Sequence, residues 1–279
     1  MNIIEKKYRI LDKIGNGKFG IVYKAISIKN NDVVAIKTEG KSSPLKLLKN
    51  ETTILKYLHD HGCRSTPIVY WYGVDERLSY LTISFYQSSL YEYCNNSNLI
   101  PEKISKIIVV CIDILETIHS QYVIHRDIKP QNFMISNEEL FLIDFGFASF
   151  YIDENKDHVS DFHSDHIIGT PKYISPNIHD GNSPSRRDDL ISLGYIYMYM
   201  CRGELPWENM GKGLYFTDLF EDIHIMNFKN KERKRLKNWE ILEPVLLNLD
   251  TKIIKYLNYC YMLSYDETPN YSELKKLFT

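Results

Sequence analysis

From residue 8 to residue 40 apolar and polar side chains alternate, interrupted by glycines, a period of two that predicts antiparallel strands. The period then changes. Leu47, Leu48, Ile54, Leu55 and Leu58 recur at helical spacing and predict a helix over about 44–60, with two more strands after it over about 68–74 and 78–85. Further on, Ile104, Ile107, Ile108, Cys111, Leu115 and Ile118 predict a helix over 101–119 with Pro101 in its first turn. Two short apolar runs, 133–135 and 140–143, flank Asn137, Glu138 and Glu139 and read as a hairpin. The most apolar stretch, 190–201, is too short to span a bilayer and reads as a buried helix. A strand-rich first part and a mainly helical remainder predict an α+β fold of two lobes, with a small antiparallel sheet and one main helix in the first.

At 279 residues the chain can form one large domain or two lobes sharing a cleft. A net charge of -2 exerts no overall pull toward nucleic acid or membrane, so neither is expected as a partner. Cys63, Cys94, Cys111, Cys201 and Cys260 are scattered and odd in number, which fits reduced thiols. The first residues carry no apolar run of signal-peptide length. A cytoplasmic or nuclear location and a monomer are the expectations.

The polar groups set around the predicted hairpin suit phosphoryl transfer. Asp127, in His125-Arg126-Asp127, can accept or orient the proton of an attacking hydroxyl. Asn132 and Asp144 are hard oxygen ligands of the kind Mg2+ takes, and Lys129 can reach the transferred phosphate. Upstream, Ile14-Gly15-Asn16-Gly17-Lys18-Phe19-Gly20-Ile21-Val22 is a glycine pattern common to many turns. The segment after Gly20 is strand-like rather than helical, which favours a glycine hairpin over phosphates and argues against a dinucleotide site. Lys37 ends an apolar strand and would waste its charge without a partner; Glu51, on the next helix, is the natural one. Ser84 and Tyr86, in the lobe connection, would meet an adenine through backbone groups, with Ile83 at the back of its pocket. Val22, Ala35 and Met134 would sandwich the base, or simply pack in the core.

These motifs, in this order, resemble the eukaryotic protein-kinase family over nearly the whole chain, and within it the casein kinase 1 family. The narrower likeness rests on residues 185–195, on Leu205-Pro206-Trp207, and on 266–278. Asn177 stands where most kinases have a glutamate, and the C-terminal segment lacks the arginine that pairs with it. Gly169-Thr170-Pro171, Ser175-Pro176-Asn177, the short spacer from Asp127 to Asp144, and Ser84-Phe85-Tyr86 depart from casein kinase 1. The resemblance implies one kinase domain over 1–279, with lobes at 1–86 and 87–279. It also implies ATP and Mg2+ as cofactors, and serine/threonine specificity from Lys129 and Thr170. The substrates implied are proteins, acidic or already phosphorylated, bound at an anion site containing Arg186 and, by a looser match, Lys229. The basic run Lys229, Lys231, Arg233, Lys234, Arg235, Lys237 reads equally as a solvated face. Asp157, His158, Asp161, His163, Asp165 and His166 have no metal-ligand spacing and read as a solvated loop. Asp189 would cap a buried helix or hold the backbone around Asp127. A pseudokinase that binds without transferring phosphate is the alternative, although Lys37, Asp127 and Asp144 are all intact. With no sequence beyond the last helix, basal activity is expected.

Overall fold

The computed structural model describes residues 3–17, 20–97, 99–164, 167–208 and 223–279. Two compact units emerge: one runs up to Ser89 and takes in Phe133–Ala148, the other comprises Leu90–Asn132 and Ser149–Thr279.

The first unit is built on a six-stranded antiparallel sheet. Its strands are β1 (Ile3–Ile4), β2 (Tyr8–Gly17), β3 (Gly20–Ser27), β4 (Val33–Gly40), β5 (Val69–Val74) and β6 (Leu78–Ser84), in the order β1-β2-β3-β4-β6-β5. Tyr8, Ala25, Val34 and Ile36 form one buried cluster of the sheet, with Ile4, Trp71 and Tyr80 packed on it. Helix α1 (Leu47–Asp60) buries Leu48, Ile54, Leu55 and Leu58, the stripe its spacing predicts. It begins at Leu47, three residues later than the sequence suggests. Lys46 takes a left-handed conformation and supplies no side-chain cap. The buried carboxylate of Glu39 instead accepts from the Leu47 and Leu48 amides, at 2.9 and 3.4 Å.

The predicted hairpin is present, with strands Phe133–Ser136 and Glu139–Leu142. Asn137 and Glu138 both have positive φ, as a two-residue primed turn requires, so Glu139 belongs to the second strand. Ser88 and Ser89 pair with Ile135 and Met134, and the Leu142 amide donates to Ser65 O. These bonds attach the hairpin to the first unit.

The second unit is helical: α2 (Leu90–Asn96), α3 (Pro101–Ser120), α4 (Pro176–His179), α5 (Arg186–Arg202), α6 (Ile223–Leu236), α7 (Trp239–Leu246), α8 (Thr251–Met262) and α9 (Tyr271–Lys276). Helix α5 is buried along nearly its whole length, as its apolar stretch implies, and packs against α3 and α8. A Cβ at Gly194 would come within 2.4 Å of the Leu257 side chain, so only glycine allows α5 and α8 to approach this closely.

Candidate active site

In the first unit, neighbouring strands place the charged groups. Lys37 lies on β4 opposite Val22, and Ala35 lies opposite Ile83. The Lys37 ammonium donates to Glu51 Oε1 and Oε2 at 2.7 and 3.0 Å, and to Asp144 Oδ1 at 2.9 Å. Glu51 is buried whereas the Asp144 side chain is 43% exposed, so the buried end of the triad is anchored and the other end faces outward. Burial alone would lower the Lys37 pKa; Asp144 and Glu51 outweigh it and hold the pKa above its ordinary value. The lysine is therefore a fixed cation. Asp144 has φ 71, a left-handed conformation that an aspartate keeps only where its surroundings impose it.

The glycine hairpin joins β2 to β3, where Gly15 pairs with Val22 and Gly17 with Gly20. Lys18 and Phe19 lie outside the described residues. A Cβ on Gly20 would lie 1.7 Å from Thr38 O, so the strand can pass its neighbour only with glycine at this position. Ile14 is exposed, Ala35 and Ile83 are buried, and Val22 and Met134 are half-buried. Tyr86 stacks on Phe141, ring centroids 4.5 Å apart, and Phe141 pairs with Met134 on the hairpin. The Ser84 amide donates to Ile68 O, and its hydroxyl accepts from the Ile68 amide, so of its two backbone groups the donor is spent on Ile68.

In the second unit, Asp127 is the hub. Its Oδ2 accepts from Lys129 Nζ at 2.6 Å and from Asn132 Nδ2 at 3.3 Å, and its Oδ1 accepts from the Thr170 hydroxyl at 2.7 Å. Lys129 Nζ also donates to Thr170 Oγ1 at 3.1 Å, which closes a ring of three side chains. Asn132 Nδ2 donates to Asp127 O at 2.8 Å as well, which leaves the Asn132 amide oxygen as the hard ligand a Mg2+ ion takes. In the first unit the partly exposed carboxylate of Asp144 is a ligand of the same kind, so the donor chemistry fits that metal.

Asp189 holds the loop that carries Asp127, one of the two roles foreseen for it. Its carboxylate accepts from the His125 and Arg126 amides at 2.8 and 2.9 Å and from His119 Nε2 at 3.0 Å. Burial pushes the Asp189 pKa up, but His119 and the loop amide of His125 hold it below the ordinary value. Arg126, at φ 68, is the strained residue these bonds secure. Because the Asp189 carboxylate can only accept, His119 Nε2 carries a proton, and the other ring nitrogen, Nδ1, is hydrogen-bonded with the Tyr271 hydroxyl at 2.7 Å. His119 stands in no motif, and Tyr271, although it lies in the 266–278 segment, meets His119 from far away in the chain, so no sequence signal marked this contact.

Two basic residues are placed otherwise than their sequence context suggested. Arg186 is buried, stacks over the Tyr151 ring, and donates to Asp266 O, Thr268 Oγ1 and Tyr151 OH. It ties the C-terminal segment to α5 instead of facing an anion. Lys237, the last member of the basic run, is wholly buried rather than solvated. Its Nζ donates to Pro171 O at 2.9 Å and Ile174 O at 2.7 Å, beside His179 Nε2 and the Tyr195 and Trp207 rings. Asn177 donates to Asp188 Oδ1, so the residue standing where a glutamate is usual is itself hydrogen-bonded. Lys229 lies half-buried on α6. Asp161 and His158 are engaged by the Ser183 amide and by the Tyr151 and Tyr265 rings, whereas Asp165 and His166 lie outside the described residues.

Burial, together with Lys237, Arg233 and Lys234, brings the His179 pKa down to about 3 from 6.5. The unfolded chain takes up this proton near pH 6.5, the folded chain only near about 3. Stability from this group is therefore complete above pH 6.5 and declines as pH falls toward 3. Urea midpoints at pH 7 and pH 4.5 are expected to differ less in His179→Asn than in the native chain; equal differences would contradict this assignment.

Comparison with known proteins agrees with this geometry. The family described as "Protein kinase domain" matches residues 8–268. Casein kinase I homolog 3 of Schizosaccharomyces pombe is 32% identical over 288 residues, covering 99% of this chain and 62% of that protein. Casein kinase I homolog 2 of the same yeast is 31% identical over 289 residues, covering 99% of this chain and 63% of that protein. The chain thus spans a little under two thirds of the length of these relatives.

Proposed function

Because the chain belongs to the protein kinase family, we propose that it is a serine/threonine kinase that transfers the γ-phosphate of Mg-ATP to protein hydroxyls. The observation that carries this reading is the ring of Asp127, Lys129 and Thr170. Asp127 Oδ1 and Oδ2 are oriented by two different donors, so the carboxylate is fixed before a substrate arrives. It positions the incoming hydroxyl and takes its proton as the oxygen bonds to phosphorus. Lys129, beside it, offsets the negative charge of the transferred group.

Lys37, kept charged by Glu51 and Asp144, binds the α- and β-phosphates, and the glycine hairpin from Gly15 to Gly20 covers them. Asn132 and Asp144 would hold Mg2+, which neutralises phosphate charge when bound. Val22, Ala35, Ile83 and Met134 are the residues proposed to flank the adenine. A preference for acidic or primed peptides belongs to the same proposal, supported by the likeness to casein kinase I homologs and by the basic residues of α6. Arg186, held inside the chain, is not part of it.

The test is transfer of labelled γ-phosphate from Mg-ATP to casein and to primed and unprimed serine peptides, with Asp144→Ala as control. The expected result is transfer by the native chain and loss of about 10²-fold or more in the variant. ATP binding without any transfer would replace this reading with that of a nucleotide-binding module.

A further inference from the structure

Helix α1 carries a second tether directly beside Glu51. The Asn50 side-chain amide donates to Gly146 O and Ala148 O, both at 2.9 Å, and approaches Phe145 O at 3.5 Å. These carbonyls belong to the turn just after Asp144, in which the Ala148 amide donates to Phe145 O at 3.1 Å. Leu47, one turn earlier on α1, packs under the same backbone, and a Cβ at Gly146 would sit 3.3 Å from its own. Two neighbouring residues of one helix therefore grip the two sides of Asp144. Glu51 holds Lys37, which bonds the Asp144 carboxylate, while Asn50 holds the backbone immediately after it.

Asp144 needs such support. Its left-handed φ is unfavourable for a side chain, and its carboxylate, bonded by Lys37, is partly exposed. An amide NH2 suits the task because it has two donors and no charge, and the groups it meets are acceptors only. A lysine would compete for Asp144, and an aliphatic residue would leave the carbonyls without this donor. Nothing in the sequence marks the position, since asparagine is an indifferent helix residue and its partners lie about a hundred positions away.

We propose that Asn50 is a positioning residue that clamps the Gly146 and Ala148 carbonyls to α1 and so fixes the orientation in which Asp144 presents its carboxylate. The inference deepens the kinase reading and rests on it for its functional half. Its structural half is independent of activity: the set of the turn at 145–148 follows the position of α1 through the Asn50 clamp, beside the packing of Leu47 and the bond of the Phe145 backbone to Glu51. Any displacement of α1 therefore disturbs Lys37 and Asp144 together.

The experiment compares the native chain with Asn50→Asp, which keeps size and removes both donors, and Asn50→Leu, which keeps helical propensity. Thr53→Gly, on the exposed face of the same helix, is the control that weakens α1 without touching the turn. Amide hydrogen exchange is measured on the ligand-free proteins. Both Asn50 variants are expected to speed exchange across 145–148 by about tenfold relative to the control, the loss of two ordinary hydrogen bonds. In the kinase assay the same variants are expected to raise the Mg2+ concentration for half-maximal rate and to lower kcat, with KM for the peptide unchanged. A merely structural role would lower the melting temperature without moving the Mg2+ requirement. Exchange at 145–148 that matches Thr53→Gly in both variants, or an unaltered Mg2+ requirement in an active enzyme, overturns the proposal. Faster exchange in a chain that transfers no phosphate upholds the clamp and removes the kinase reading instead.

Discussion

Asp127→Asn is expected to lower kcat by about 10²–10⁴-fold, the range set by losing a positioned proton acceptor, with KM for ATP within about threefold of the native value. The carboxylate makes two kinds of contact that an amide cannot reproduce together. Its Oδ1 accepts from Thr170, which an amide oxygen could continue to do. Its Oδ2 accepts from Lys129 and Asn132, and an NH2 in that place would face two donors. Lys129 would then lose its counter-charge and the ring would open. The ATP contacts assigned to Lys37 and the glycine hairpin belong to the other unit and are left as they are, which is why KM for ATP should hold. Thermal melting separates this from collapse of the fold: the carboxylate is buried, and losing its charged bonds should cost about 1–3 kcal/mol. Steady-state kinetics with a serine peptide reads the outcome. A kcat within about fivefold of native would show that Asp127 neither takes the proton nor orients the hydroxyl.

The parts of this arrangement that were legible in the sequence are those whose partners are encoded by short motifs. The alternation before residue 40 predicts the strands, and the glycines and Lys37 fall on them where the pattern puts them. Asp127, Lys129 and Asn132 lie close together in the chain, so the loop's own geometry brings them into contact. Glu51 could be found because Lys37, at the end of an apolar strand, needs a counter-charge and the next helix carries one. The hidden parts depend on backbone atoms contributed from elsewhere. Glu39 serves as the remote cap of α1, Asn50 grips carbonyls beyond Asp144, and Ser84 turns back to Ile68; no residue type announces such contacts. Arg186 and Lys237 depart from their sequence reading for one shared reason. Lys237 reads as part of a solvated face and Arg186, by the resemblance, as part of an anion site, but each finds a carbonyl acceptor and an aromatic face inside the second unit. The acceptors that make burial of a cation tolerable come from the tertiary fold, so hydropathy cannot reveal them.

Lys237→Met is the other substitution with a large expected effect, on stability and on peptide use together. The native ammonium is enclosed by Pro171 O, Ile174 O, His179 Nε2 and the faces of Tyr195 and Trp207. Burial and Arg233 pull its pKa well below the ordinary lysine value, whereas the two carbonyls and the ring faces favour the cation. Methionine fills a similar volume but gives the carbonyls no donor. Two buried acceptors left without it should cost about 2–4 kcal/mol, a fall in melting temperature of roughly 3–7 °C for a protein of this size. The segment released is the one that contains Thr170, whose hydroxyl orients Asp127. Its other fastenings include Trp207 Nε1 donating to Lys172 O, Ser192 Oγ donating to Tyr173 O, and the pairing of Lys172 with Glu208. With Lys237 gone, these hold residues 171–174 at their middle, while both ends lose a bond. The peptide KM should rise by about tenfold, a shift of about 1.4 kcal/mol in binding, whereas nucleotide affinity, assigned to the first unit, should stay as it is. Calorimetry and steady-state kinetics on one preparation decide the matter. A lower melting temperature with unchanged peptide KM would make Lys237 a packing element alone; neither changing would mean that the carbonyls find another donor and that the buried lysine holds nothing in place.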